Sequence, residues 1–195
     1  MSGVKIKDKE DERSVRMRLI RAGLRELGEH GIGDFSLRRV AVCAQVSCAA
    51  PYRHFRDKDD LILEIIGYMC KDWLLLCDSI CEIYRDSANE RLLGLAASMV
   101  RFWIGNGNFH SALLAIGQNP RHSGELLQFD TPIIDACQTL SRQTGIEAED
   151  LSLYTLSLVY GAVSLISSGR VSADVAQSTL RKHLKMRIME KRIDK

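Results

Sequence analysis

Apolar positions along this chain recur with the period of a helix. Ile20, Gly23, Leu24 and Leu27 stand at i, i+3, i+4 and i+7, predicting a first helix from about Arg13 to His30, with Gly31 ending it. The twelve residues before it form a charged arm expected to fray. Ser36 is placed to cap a second helix, with Leu37, Val40 and Ala41 facing inward. Ser47 caps a third through its hydroxyl, which puts Pro51 at the fourth position of that helix. Asp57 caps a fourth helix of about 25 residues. Its wide apolar face includes Ile62, Ile65, Ile66, Met69, Cys70, Trp73, Cys77 and Ile80.

Ser87-Ala88-Asn89-Glu90 is a capping box that opens a helix carrying Leu92, Leu95, Ala96, Met99 and Trp103. Gly105 to Asn108 break it, and a short helix from Phe109 to Ile116 follows. Asn119 to Gly124 reads as a loop. Thr131-Pro132 predicts the start of a helix to about Gln143. Glu147 to Ser168 is a further helix, and Ser172 to Asp174 opens the last. With only 3 prolines and little Val/Ile alternation, the expected fold is all-α.

The net charge of +2 hides a strong polarity. Residues 13–58 hold ten Lys/Arg against four Asp/Glu, residues 59–180 hold seven against fifteen, and residues 181–195 seven against two. A basic head on an acidic body turns the head toward a polyanion. An uneven solvated surface would look the same, and the motif inside the head decides between them. Ser36 to Lys58 reads as two short helices joined by a tight turn, with a basic and aromatic surface, which is how a helix-turn-helix offers one helix to the DNA major groove.

Residues 2–14 lack the apolar stretch of a secretory signal, so the six cysteines are expected as reduced thiols in a cytoplasm. Leu151 to Ser168 carries no charge, but its five serines, threonine, two tyrosines and glycine favour a buried or subunit-contacting helix over a membrane span. Cys70, Cys77 and Cys81 recur on one side of the fourth helix, where core packing competes with a thiol- or metal-sensing cluster. Cys48 lies among arginines at the expected start of the third helix, a setting that favours a thiolate. No phosphate loop, paired Cys/His motif or nucleophile elbow is present, so an enzyme is not expected. No cofactor and no metal site are expected.

Leu19-Ile20, Ala22-Gly23, Gly31, Ser36, Val40-Ala41, Ala44, Val46-Ser47, Tyr52, His54-Phe55, Lys58 and Leu61 together resemble the TetR family of bacterial transcription regulators. Two positions depart from the family pattern. Glu26 stands where a small aliphatic or aromatic residue is usual, and Gln45 where glycine is frequent. A non-glycine residue in a left-handed turn costs about 1 kcal/mol.

The resemblance implies a helix-turn-helix DNA-binding domain over residues 1–56 and a helical effector-binding and dimerisation domain over 57–195. The helix opened by Ser47 would be the recognition helix. Cys48, Ala49 and Ala50 would lie at its groove-facing start, with Tyr52 and Lys58 at phosphates and His54 beside them. Arg53 is the best guanine reader, and Arg38, near the start of the helix that Ser36 caps, could reach a base edge or a phosphate. Phe55 is expected in the core, Tyr52 with its ring packed and its hydroxyl at the backbone, and Arg39 as a solvated neighbour.

The resemblance further implies a homodimer on a palindromic operator, paired through Leu153, Ser157, Tyr160, Gly161 and Ser164 of one helix and Leu180, Leu184 and Ile188 of the last. It implies a small apolar or amphipathic effector that releases the operator from a repressor. Candidate pocket residues are Met69, Trp73, Met99, Phe102, Trp103, Phe109, Leu113 and Tyr154. A thiol- or metal-responsive regulator, or a non-transcriptional DNA- or partner-binding protein on the same scaffold, are the alternatives.

Overall fold

The computed structural model describes residues 3–117 and 123–193 and, among them, the side chains of 13–116 and 128–189. The described residues form helices joined by short turns, without strands: α1 (Gly3–His30), α2 (Leu37–Cys43), α3 (Ala50–His54), α4 (Lys58–Ile83), α5 (Ala88–Gly105), α6 (Gly107–Gly117), α7 (Ser123–Thr144), α8 (Ala148–Ser167) and α9 (Ala173–Ile193).

The caps read from the sequence account for most boundaries. Ser36 Oγ accepts from Arg39 N, Ser87 Oγ from Glu90 N, and Asp57 Oδ1 from Asp60 N at 2.8 Å. Gly31 ends α1 at φ +69, a conformation that costs glycine little.

Three elements differ from the reading above. The helix expected from Arg13 begins at Gly3, because no glycine or proline interrupts Val4 to Ala22. The helix expected from Thr131 begins at Ser123, with Pro132 inside it. Buried Phe129, Ile133, Ala136, Cys137 and Leu140 form one continuous stripe through the proline, and that burial outweighs the amide hydrogen it removes. The expected loop at 119–124 falls largely outside the described residues. The third difference, at Ser47, belongs to the site below.

The chain divides into two compact units. The first contains Met1–Met69 and Asn108–Glu125, the second Cys70–Gly107 and Leu126–Lys195. In the first, Leu19, Ile20, Leu27, Val40, Ala41, Phe55, Leu61, Ile62 and Ile65 are buried. A Cβ on Gly23 would stand 2.6 Å from Ile65 Cδ1, so the missing side chain lets α4 press on the α1 backbone.

In the second unit, α8 packs on α5 and α9, and α9 on α5. Trp73, Phe102, Trp103 and Phe129 form an aromatic cluster with ring centroids 4.9 to 6.1 Å apart. Trp73 Nε1 donates to the Phe129 carbonyl at 2.9 Å, satisfying the one polar atom of a fully buried indole. The α8 helix is long and apolar enough to cross a membrane, yet Leu151, Thr155, Val159, Ala162 and Val163 are buried within the chain.

Candidate nucleic-acid interface

α2 and α3 are only seven and five residues long, too short to persist alone in water. Their geometry therefore comes from what holds their ends. Ser36, extended at φ −125, starts α2, and Ala44 closes it with its N–H on the Val40 carbonyl at 2.9 Å. Gln45 then adopts φ +54, the one positive-φ non-glycine among the described residues, and Val46 N returns to the Ala41 carbonyl at 3.0 Å.

Ser47 does not cap α3 with its hydroxyl. Its carbonyl accepts from Ala50 N at 2.9 Å, forming a turn, and α3 begins at Ala50 after an αR Ala49. Pro51 thereby falls in the first two helical positions, where its missing amide hydrogen has no intrahelical partner to lose. Cys48 consequently lies in the turn before the helix.

The expected DNA-contacting residues come together in the first unit. Arg38, Ser47, Cys48, Ala49, Tyr52 and Arg53 are exposed, Ser36, His54 and Lys58 are half-buried, and Ala50 is buried. Ser47, Ala50, Arg53 and His54 line an open cleft of about 580 Å³ with Val15, Arg18 and Val46. Arg38 lines a second, of about 490 Å³, with Arg25, Glu29, Val42 and Cys43 among its walls.

Tyr52 departs from expectation, since its ring is 66% exposed instead of packed. Ala50, Pro51 and Phe55 occupy the inner side, leaving Tyr52 and Arg53 on the outer one. Lys58 Nζ donates to the Ile32 carbonyl at 2.7 Å and stands 5.8 Å from the Phe35 ring centre, so it braces the loop before α2. Arg56 and Asp60 pair at the foot of α4. The Arg56 N–H, then its guanidinium, hold the Asp60 carboxyl below its ordinary range.

Two residues of this region carry roles that the sequence reading did not assign. Arg18 donates from Nε and Nη2 to the Ala44 carbonyl at 3.1 and 2.5 Å, and from Nη2 to the Gln45 carbonyl at 2.9 Å. Glu26 is 6% exposed. Its Oε1 accepts from Ser36 N at 3.0 Å and from Arg39 Nε at 2.8 Å, and its Oε2 lies 3.4 Å from His30 Nδ1. Arg39 also reaches the carbonyl and carboxylate of Asp34, so it is an engaged partner where a solvated neighbour was expected. The hydrogen bond to Glu26 raises the Arg39 pKa above its ordinary value. The departure of Glu26 from the family pattern was the available signal.

Of the residues expected at a dimer contact, Leu153 is 70% exposed, and Ser157, Gly161 and Ser164 are exposed beside it on α8. Tyr160 is half-buried and donates to Asp130 Oδ1 at 2.7 Å. Leu180, Leu184 and Ile188 are instead buried within the chain. Their i, i+4, i+8 stripe is the inward face of α9. The exposed apolar residues nearby are Leu165, Val175, Met186 and Met189. A groove of about 290 Å³ runs between α8 and α9, walled by Ser157, Gly161, Leu165, Val171, Val175 and Thr179 among others.

The expected effector residues separate. Trp73, Met99, Phe102, Trp103 and Tyr154 belong to the second unit, and Met69, Phe109 and Leu113 to the first. Phe129 joins the aromatic cluster but was hidden by the Thr131-Pro132 start signal. Cys70 and Cys77 are buried, Cys81 is half-buried, and burial pushes the Cys77 and Cys81 thiols up. Among the described residues no group of three potential metal ligands forms.

Residues 19–65 match the family model described as bacterial regulatory proteins, tetR family. A Rhodococcus sp. protein assigned to the TetR family of transcriptional regulators aligns at TM-score 0.72 and 19% identity, over 89% of this chain and 98% of its own. A TetR family transcription regulator from Marinobacter aquaeolei VT8 gives 0.61 and 16%, over 89% and 97%. The transcriptional regulator FadR from Bacillus subtilis, in complex with stearoyl-CoA, gives 0.64 and 13%, over 86% and 96%. A comparison with curated proteins found no match.

Proposed function

From the premise that residues 19–65 are a TetR-family N-terminal domain, carried on the all-helical fold of TetR-family regulators, we propose that the protein is a DNA-binding transcription regulator. It acts as a repressor. Residues 1–56 read the DNA, and residues 57–195 bind the effector and pair two copies. The observation that carries this reading is the outward side of α3, where Tyr52 and Arg53 are exposed on a short helix set by a helix-turn-helix. Arg53 reads a guanine, Arg38 reaches a base edge or a phosphate, and Tyr52 and Lys58 meet phosphates. Ser36, Ser47, Cys48, Ala49 and His54 complete the surface, whereas Ala50, expected at its groove-facing start, is buried on the inner side of α3.

A single such helix specifies a few base pairs, too little to single out one locus. The protein therefore works as a homodimer on a palindromic operator in the cytoplasm. The exposed stripe of α8 and the groove beside it support pairing there. The effector is a small apolar or amphipathic molecule. The aromatic cluster of the body supports that class, and the acyl-CoA held by FadR is a precedent within the fold. Binding of the effector favours a head spacing that no longer fits the operator.

The test is a mobility-shift and anisotropy titration against the DNA flanking the protein's own gene. The expected result is a preferred fragment bound by two protomers, with affinity of about 10⁻⁸ M or better at physiological salt and a steep loss as salt rises. Binding with no preferred fragment and no salt dependence would overturn the assignment.

A further inference from the structure

The helix before the reading helix is gripped at both ends by one neighbour. At its start, the Ser36 N–H donates to Glu26 Oε1 at 3.0 Å. At its end, the Arg18 guanidinium takes the Ala44 and Gln45 carbonyls at 2.5 to 3.1 Å. Both side chains belong to α1. Eight residues of helix span about 12 Å, and the seven of α2 span roughly 10 Å, so the two grips are spaced to the element they hold. Their signs also fit. A carboxylate lies at the positive end of the α2 dipole and a guanidinium at the negative end, where each satisfies backbone groups that a short helix leaves open.

The grips are charged on both sides of the turn that matters. Gln45 is the left-handed residue from which the chain departs toward α3, and its carbonyl is one of those Arg18 holds. Glu26 is buried, and a buried carboxylate persists only with several donors. It has them in Ser36 N and in the Arg39 guanidinium, which reaches Oε1 from both Nε and Nη2. Arg39, itself exposed, is tied by this pairing to Glu26 and Asp34, while its neighbour Arg38 is exposed and forms no ion pair among the described residues.

We infer that Arg18 and Glu26 are positioning residues for DNA reading: they fix both ends of α2 and thereby the take-off of α3, without needing to touch a base. The inference rests on the DNA-binding reading above. It predicts a loss of discrimination, not of general attraction for DNA. Charge-assisted hydrogen bonds are the strong kind, and a helix tilted by their loss misplaces every base contact at once.

The experiment uses the full chain, wild type and variants, against the preferred flanking fragment and a scrambled duplex of equal length, over a range of salt. Thermal unfolding is recorded for each variant. For Arg18→Gln and Glu26→Gln the ratio of preferred to scrambled affinity should fall about tenfold while scrambled binding does not weaken. Arg18→Lys should recover the ratio only in part, because an ammonium lacks the rigid planar fork with which the guanidinium spans both carbonyls. If Arg18→Gln weakens both duplexes equally and lowers the salt slope by about one, Arg18 is a phosphate contact and the proposal falls. An unchanged ratio overturns it as well. Should a neutral variant fail to fold, Arg18→Lys and Glu26→Asp carry the test, with a ratio lowered by about twofold or more expected and an unchanged ratio in both refuting the proposal. A wild type that prefers no fragment refutes the regulator reading instead, before any variant is compared.

Discussion

The two units of this molecule are held together by different physics. In the first, short helices are set by directed polar grips: Arg18 on two carbonyls, Glu26 on an amide and a guanidinium, Lys58 on the Ile32 carbonyl. In the second, long helices bury an aromatic cluster in which the Trp73 indole N–H is satisfied by the Phe129 carbonyl. Directed bonds specify angle, because they weaken steeply when misaligned. Apolar burial specifies closeness and tolerates exchange of one hydrophobe for another. A surface that must meet a duplex at a fixed angle is better served by the first kind. A body proposed to take an effector is better served by the second.

The sharpest way to break this contrast is to empty the body's core. Trp103→Ala should cost about 3–5 kcal/mol in urea-induced unfolding. A cost below about 1 kcal/mol would mean that the aromatic cluster does not hold the second unit. A mutation on the reading surface should behave in the opposite manner. Arg53→Ala removes an exposed guanidinium, so the unfolding midpoint should stay in place while affinity for the preferred fragment falls about ten- to hundredfold. An equal loss on scrambled DNA would make Arg53 a phosphate contact and not a base reader. The smallest effect lies in the turn. Gln45→Gly should raise stability by up to about 1 kcal/mol, because glycine occupies φ +54 without the Cβ penalty. Lower stability instead would mean that the Gln45 side chain contributes more than its backbone costs.

Several helix starts were legible because their signals are local. Ser36, Asp57 and Ser87 each cap a helix through a side chain that reaches three residues along the chain. Ser47 misled for a related reason. A serine before a helix can offer its hydroxyl or its carbonyl, and only the αR backbone of Ala49 decides that the carbonyl is used and the helix starts at Ala50. Thr131-Pro132 is a true start signal elsewhere, overridden here by a buried stripe that begins earlier, at Phe129. Leu180, Leu184 and Ile188 were recognisable as a covered stripe, but not as one covered by the chain's own helices. Tyr52 shows the converse: an aromatic residue on so short a helix, with Ala50, Pro51 and Phe55 turned inward, is left outside.

Taken alone, the sequence determined the helical elements, most of their ends and the helix-turn-helix that they frame, since periodicity, caps and glycine act over a few residues. Only the tertiary structure decided which partner each charged or apolar side chain meets. Glu26 finds Ser36 ten residues away, Arg18 finds Ala44 and Gln45 at twenty-six and twenty-seven, and Trp73 finds Phe129 at fifty-six. A residue's chemistry states what kind of neighbour it requires, and the packed chain alone supplies which one.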